Sequence, residues 1–408
     1  MALKLILVSV KGTIVNPEKK VVIQVAKQLG ALAAELHQHG VKVALWSNQA
    51  WTCNGQPLHE YIASIAGVPI YAHGYQWDNS PARKRKDSAA SILNVHGAKR
   101  YETILLGGGD DDFICGVNNK LLHIRSDWYG QNSDHGFQVK SVEEFRRFCV
   151  LFGLRQHNLF WQASGSDWSA STAGPFSTQI QAYALFGFDA RDAAKKGTGH
   201  PDFWFYITVA SLYFSGLMED VDYICTYPGH DAAPKVISNS GLESILARLG
   251  KCTRADYFHD LVVRHTTAPK SQYTKAADRL FTNQLSTIKL NKYPHRNLSD
   301  TPRKTPISLK GKRVLIVDDM VTSGRSIESA RAYIAAAGAS SRLFGWLKTI
   351  STSYLELPTP PKSLKPFEAN TFSKEPPSTT HSYAGGIVAA GAPTELDDIL
   401  KRFVAWKL

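Results

Sequence analysis

Residues 314–326 read Val-Leu-Ile-Val-Asp-Asp-Met-Val-Thr-Ser-Gly-Arg-Ser, and this run restricts the fold more than any other stretch of the chain. Four consecutive apolar residues between Lys312-Arg313 and a polar turn form the pattern of a strand buried on both faces, as in parallel α/β sheets. Sheets of that kind bind ligands in a crevice at the carboxyl ends of their strands. Asp318 and Asp319 stand at that end. The small, hydroxylated stretch after them predicts the opening of a helix over residues 326–337. Backbone N–H groups at a helix start cradle a dianionic phosphate, and the hydroxyls of Thr322, Ser323 and Ser326 add donors. Gly324 permits a positive φ and close approach of a ligand. Helix capping alone calls for one acid. Two adjacent carboxylates repel each other, a cost that makes sense when hydroxyl donors lie between them.

The string resembles the phosphoribosyl diphosphate (PRPP) signature of type I phosphoribosyltransferases: four hydrophobic residues, two acids, then a Thr/Gly-rich phosphate loop. The resemblance implies that Asp318 and Asp319 hold the ribose 2′- and 3′-hydroxyls. It also implies that Val321, Thr322, Ser323, Gly324, Arg325 and Ser326 wrap the 5′-phosphate, and that Mg²⁺ serves as cofactor. Phosphoribosyl transfer displaces pyrophosphate through an oxocarbenium-like transition state, so the protein mainly positions groups and neutralises charge. The family's pyrophosphate loop corresponds here to residues 226–231, with Tyr227, Gly229, His230 and Lys235 as candidate contacts. Residues 261–267, followed by Gln272, Arg279 and Asn283, are similar to ComF/GntX-type members, and Arg264 and Arg279 are expected to close over pyrophosphate. Two departures stand out: Arg325 is introduced into the phosphate loop, and the Arg-Gly-Phe-Asn-Gln that usually follows the pyrophosphate loop in that subfamily is absent.

Of the net charge of +12, most sits in residues 251–313, where fourteen Lys/Arg face four Asp. A basic run leading into a phosphate loop suits a polyanionic substrate. It is also compatible with nucleic acid, although no interleaved aromatic stacking pattern accompanies it. Five scattered cysteines with no C-x-x-C pair point to a reducing compartment, and a cytoplasmic location is expected. The longest uncharged stretch, residues 203–218, is interrupted by Thr208, Ser211 and Ser215 and predicts a buried helix, not a membrane span. No membrane association is expected.

Residues 5–15 are similar to the opening of the haloacid-dehalogenase-like (HAD) phosphatases, whose first motif is four hydrophobics then Asp-x-Asp-Gly-Thr, with Ser9 and Lys11 in place of the aspartates. Residues 43–49 are similar to the second motif, with Ser47 at the hydroxyl position. Lys84 or Lys86 is expected to supply the third-motif lysine, and Asp112 the last acid of the fourth, with Gly108 where the first acid should be. The acids of residues 110–112 are read as part of a glycine-rich turn. In that family the first aspartate is nucleophile and magnesium ligand and the second is general acid/base. Phosphatase chemistry is therefore expected to be lost, leaving a scaffold or an anion site.

The expected architecture is α/β, with two parallel-sheet Rossmann-like domains: an HAD-like domain over 1–155, a connector over 156–199, and a phosphoribosyltransferase domain over 200–355. Residues 162–174, polar and rich in Ser and Gly, are the expected linker. Residues 356–408 form a Pro-rich extended linker ending in an amphipathic helix with a capping box at Thr394–Asp397. The expected function is PRPP-dependent transfer of phosphoribose to an unidentified nitrogenous acceptor. A PRPP- or nucleotide-sensing or ComF-like DNA-handling protein is one alternative, and a bifunctional protein retaining phosphatase activity is another.

Overall fold

The computed structural model describes residues 3–130, 133, 135–177, 179–232, 241–253, 255–268 and 280–408. The first domain contains β1 (Leu5–Ser9), α1 (Ile23–His37), β2 (Lys42–Trp46), a small hairpin of β3 (Thr52–Cys53) and β4 (Gln56–Pro57), and α2 (Leu58–Ala66). It continues through β5 (Ile70–His73), α3 (Tyr75–Asp78), α4 (Ala90–His96), β6 (Thr103–Gly107), α5 (Asp110–Asn119), β7 (Leu122–Ser126), β8 (Phe137–Val139) and α6 (Val142–Phe148). Its six-stranded sheet has the order β5-β2-β1-β6-β7-β8, and every pairing is parallel. Strand periodicity divides its core in two. Ile6, Val8, Val43, Leu45, Ile104 and Leu106 face α1, α2 and α6. Leu5, Leu7, Ala44, Trp46 and Leu105 face α4 and α5.

The second domain begins with β9 (Trp161–Ser164), β10 (Trp168–Phe176), α7 (Gln181–Lys196), α8 (Pro201–Phe214), β11 (Tyr223–Thr226), α9 (Gly241–Cys252) and β12 (Asp256–Tyr257). Then come β13 (Val262–Arg264), α10 (Phe281–Leu285), β14 (Ile288–Leu290), β15 (Arg313–Val321), α11 (Arg325–Ala336), β16 (Ser340–Thr349), β17 (Tyr354–Glu356), β18 (Thr379–His381) and α12 (Ala392–Ala405). The sheet order is β12-β11-β15-β16-β10-β9, parallel except for the β9–β10 hairpin. Leu315, Val317, Phe344 and Trp346 pack toward α7, α8, α9 and α12. Val314, Ile316 and Leu343 pack toward α11. The predicted buried helix is α8, in which every residue from Phe203 to Phe214 is buried.

Three expectations are corrected. Residues 162–174 are not a linker but most of the β9–β10 hairpin, so the second domain starts at Trp161 and residues 156–199 are not a connector. Their small side chains are a packing requirement: a Cβ at Gly174 would come within 2.7 Å of Leu396 on α12. The Pro-rich segment is a strap, with Leu364 buried, the Pro366 carbonyl accepting from the Leu290 N–H (2.8 Å) and β17 pairing with β18 across its ends. The last helix starts at Ala392 rather than with a box at Thr394. Glu395 accepts instead from the N–H groups of Gln156 (2.7 Å) and His157 (3.0 Å), while Asp397 pairs with Lys401.

Candidate functional site

β15 pairs with β11 only as far as Val317 opposite Thr226, but with β16 on its other side as far as Val321 opposite Lys348. From β11 the chain passes through α9 to β12 on one side, and from β15 through α11 to β16 on the other. The sheet's connections diverge at the β11–β15 gap, which is where open α/β sheets form their ligand crevice. Asp318 and Asp319 are the first residues of β15 past that gap. Asp319 is buried, at 4% exposure, and its N–H donates to Oδ1 of Asp318 (2.9 Å). Burial, reinforced by the Asp319 carboxylate and opposed by the Lys195 ammonium, holds Asp318 well above the usual carboxylate range. Lys195, in the last turn of α7, lies 2.9 Å from Oδ2 of Asp319. Against the downward pull of desolvation, Asp319 and then Asp318 keep this ammonium above its ordinary value. The ion pair is the partner of Oδ2, which has no well-aligned hydrogen bond.

Past the acids the chain forms the loop Thr322 to Ser326 ahead of α11. Gly324 has φ 81°, and a Cβ there would sit 2.3 Å from the Tyr354 ring, so the position admits only glycine. That ring is fixed: its hydroxyl donates to Oε1 of Glu328 (2.5 Å), and the fully buried Glu328 also accepts from Arg331 (2.8 Å) and the Leu357 N–H (2.9 Å). Thr322 and Thr349 share a hydrogen bond between hydroxyls at 2.9 Å. Behind the loop the fully buried Lys348 donates to the carbonyls of Thr322 and Thr352, both at 2.5 Å, and burial pushes its ammonium down to about 8. Arg325 donates to Oγ of Ser323 (3.3 Å) and lies 5.9 Å from the Phe281 ring centre. The first N–H groups of α11 have no intrahelical acceptors and are the available anion donors.

The opposite wall follows β11. The Tyr227 hydroxyl donates to Gln284 (2.5 Å), accepts from Arg264 (3.0 Å) and also bonds Ser326, and burial pushes it up to about 12. Arg264 further donates to the Gly229 carbonyl and the Thr287 hydroxyl. It braces the loop through these bonds instead of projecting freely over a ligand. Gly229 and His230 are exposed. Lys235, Gln272 and Arg279 lie outside the described residues. Lys195, Lys348 and Gln284 escaped sequence reading because each reaches the crevice from a different element. A lysine pair at a helix end is the only local signal for Lys195, and it reads equally well as a complement to the helix dipole.

In the first domain, Ser9 and Ser47 lie at the carboxyl ends of β1 and β2, both buried. The residue entering this crevice is Arg83, not Lys84 or Lys86. Its Nη1 donates to Oγ of Ser9 (3.0 Å), its Nη2 meets Oδ1 of Asp112 at 2.6 Å, and the guanidinium lies 5.2 Å from the Trp46 ring centre. Lys84 instead pairs at the surface with Asp111 (3.1 Å), and Lys11 and Lys86 are exposed. Asp110 to Asp112 are the first turn of α5, not a free turn, and Asp112 also accepts from the Gly109 N–H (3.0 Å). Ser47 Oγ accepts from the Gln49 N–H (3.2 Å) and Trp51 Nε1 (3.3 Å).

Residues 271–343 match the phosphoribosyl transferase domain family model, a span that includes β14, β15 with both aspartates, and α11. The second domain thus carries a phosphoribosyl transferase domain. No curated protein matches the chain. Among solved structures it is similar to a candidate phosphoglycolate phosphatase from Lactobacillus delbrueckii subsp. bulgaricus, with 19% identity, TM-score 0.23, and coverage of 29% of this chain and 51% of the other. The chain therefore spans about half the length of that protein. The core domain of a candidate phosphoglycolate phosphatase from Streptococcus pneumoniae aligns at 10% identity, TM-score 0.26, covering 37% of this chain and 97% of its own. The 3-deoxy-D-manno-octulosonate 8-phosphate phosphatase from Moraxella catarrhalis, solved with magnesium and phosphate ions, aligns at 15% identity, TM-score 0.21, covering 30% and 68%.

Proposed function

We propose that the second domain transfers phosphoribose from PRPP to a nitrogenous acceptor, releasing pyrophosphate, and that the first domain performs no phosphatase step. The observation carrying the transferase reading is the Asp318–Asp319 pair, with Asp319 buried, at the divergence of β11 and β15, followed directly by the Gly324 turn into α11. In this reading the two carboxylates accept hydrogen bonds from the ribose 2′- and 3′-hydroxyls. The loop Val321 to Ser326 and the first N–H groups of α11 hold the 5′-phosphate, with Lys348 keeping its backbone in place and adding positive charge beneath it. Arg264 and Gln284 hold Tyr227 and the loop that faces the pyrophosphate; His230 is a candidate donor to it, and the sequence adds Lys235 and Arg279 as candidate cations. Asp318 and the sparsely bonded Oδ2 of Asp319 are hard oxygen donors that fit Mg²⁺ together with substrate oxygens. When bound, the ion neutralises pyrophosphate charge. Lys195 meanwhile keeps the carboxylate pair from standing uncompensated, and it must yield when ribose hydroxyls arrive.

The silent reading of the first domain is supported by Arg83, whose fixed cation bridges the positions a catalytic metal and its acid would use. A guanidinium cannot lower the pKa of a bound water or accept phosphate oxygens into a coordination shell.

The test is pyrophosphate release from PRPP with Mg²⁺ and a panel of nucleobases and amines, using the full chain and its Asp318→Asn/Asp319→Asn variant. Release that falls about 10²–10³-fold or more in the variant is expected, the scale of losing preorganised transition-state contacts. PRPP binding without release by any acceptor or cell extract would favour a sensor. Phosphate release from a broad panel that vanishes in Asp112→Asn would overturn the silent first domain.

A further inference from the structure

Between β12 and β15 the chain makes a long excursion whose regular structure, among the described residues, is the β13–β14 pair and α10. A two-stranded sheet has little stability of its own. This excursion nevertheless carries Arg264 and Gln284, which hold one wall of the crevice. At its base His259, Asp260 and His295 converge: one ligand atom from each lies within 4.8 Å of the others. His259 is 7% exposed, and its Nδ1 donates to the Asn297 carbonyl at 2.7 Å. A carbonyl only accepts, so Nδ1 bears a proton and Nε2 is the nitrogen left to offer a lone pair to a metal. His295 places Nδ1 2.8 Å from Oδ2 of Asp260. The same carboxylate accepts from the His295 N–H (2.7 Å) and from Nδ2 of Asn291 (2.7 Å), which fixes its orientation. Nε2 of His259 has no protein hydrogen-bond partner among the described residues, and an ion held between it, Nδ1 of His295 and Oδ2 of Asp260 would take the place of the proton the last two share. An imidazole whose other nitrogen is anchored to a backbone carbonyl, as in His259, is prepared as a metal ligand.

We propose that His259, Asp260 and His295 bind one divalent first-row transition ion, zinc above all, with solvent completing the coordination. Two imidazole nitrogens and one carboxylate oxygen are the donor set of zinc sites that keep an open position. Ligand atoms around tetrahedral zinc stand about 3.3 Å apart at bond lengths of ~2.0–2.1 Å. The separations of up to 4.8 Å must therefore shorten by at most about 1.5 Å for one ion to engage all three. The surrounding segment is basic, so affinity comes from the nitrogen donors and not from an acidic field, and Mg²⁺ does not compete. The bound ion ties the end of β12 to the turn after β14, stapling the base of the excursion.

The test uses the full chain without a polyhistidine tag, stripped with chelator. Titration with Zn²⁺ against a chromophoric chelator is expected to give one equivalent bound at micromolar affinity or tighter, unchanged by millimolar Mg²⁺. Affinity falls at least about 100-fold in His259→Gln and His295→Gln, while His73→Gln, at a histidine pair elsewhere, leaves it unchanged. Co²⁺ is expected to give the intense visible absorption of a four- or five-coordinate site. Absence of stoichiometric Zn²⁺ binding, or equal binding by the His259→Gln/His295→Gln variant, overturns the proposal. Should those variants fail to fold by circular dichroism, the Co²⁺ spectrum of the unaltered chain decides: weak absorption typical of the hydrated ion overturns it.

Discussion

Two aspartates side by side at a strand end, Asp319 of them buried, store a conflict that a substrate can relieve. The unfolded Asp318 titrates near 3.9, whereas in the folded chain burial and then Asp319 raise it. The folded state therefore holds the proton more tightly, and the stability this contributes is present at low pH and lost as pH rises through the raised value. Asp318→Asn removes that loss. The variant is expected to melt at a higher temperature than the parent at pH 8, with the difference vanishing near pH 3, and to bind PRPP at least tenfold more weakly. A parent chain that melts higher at pH 8 would show that the pair is not strained. In the first domain the balance runs the other way, because Arg83 and Asp112 are both largely buried and compensate each other. Arg83→Met leaves the buried Asp112 carboxylate without its cation and is expected to cost about 3–5 kcal/mol in urea unfolding. Adding Asp112→Leu should recover most of it. The place of the aspartate pair at the strand end and the positive φ of Gly324 were legible in the sequence because both are set locally. Arg83 was not, since the neighbouring Lys84 and Lys86 are equivalent until the turn they occupy is folded.

At the scale of elements, the predicted strands and helices that carry continuous apolar or helical periodicity were found, and the misreadings share one cause. The β9–β10 hairpin looks like a linker because its residues are small and polar, and they are small because α7 and α12 lie close above them. The strap looks like an extended linker because proline marks it, yet its contacts are made by the residues between the prolines. Glu375 takes both the Phe281 N–H (2.7 Å) and the Thr282 N–H (3.0 Å), capping α10 from nearly a hundred residues away in sequence. The Phe372 N–H donates to Ser286 (3.0 Å) at the other end of the same helix. α10 presents Gln284 to Tyr227, so the strap supports the crevice wall indirectly. Glu375→Ala is expected to lower stability by about 1 kcal/mol, the usual worth of an N-cap, read as a shift of the urea midpoint. No shift, with PRPP affinity also unchanged, would mean that the strap merely lies on the surface.

Across the whole molecule the two sheets are joined by core, not by a tether. Phe137, Phe148 and Phe152 of the first domain pack on Phe203, Phe205 and Tyr206 of α8, with ring centres 5.0–6.0 Å apart. Phe403 of α12 closes the cluster against Phe152, Phe203 and Tyr206. Where the domains part, a cavity of about 310 Å³ is lined by Arg100, Tyr101, Lys120, Tyr213, Asp220 and Arg313. It touches the starting ends of β7, β15 and β16. Both candidate crevices lie at the opposite, carboxyl ends of their strands, so this cavity is not a passage between them. A shared core also couples folding. Heating is expected to give one calorimetric transition in which calorimetric and van't Hoff enthalpies agree. Phe403→Ala is expected to lower stability by about 3–5 kcal/mol and to move that single transition as a unit, although the substituted helix belongs to the second domain. Two resolved transitions in the unaltered chain, only one of them shifted by Phe403→Ala, would instead mark the aromatic cluster as a contact between independently folding domains.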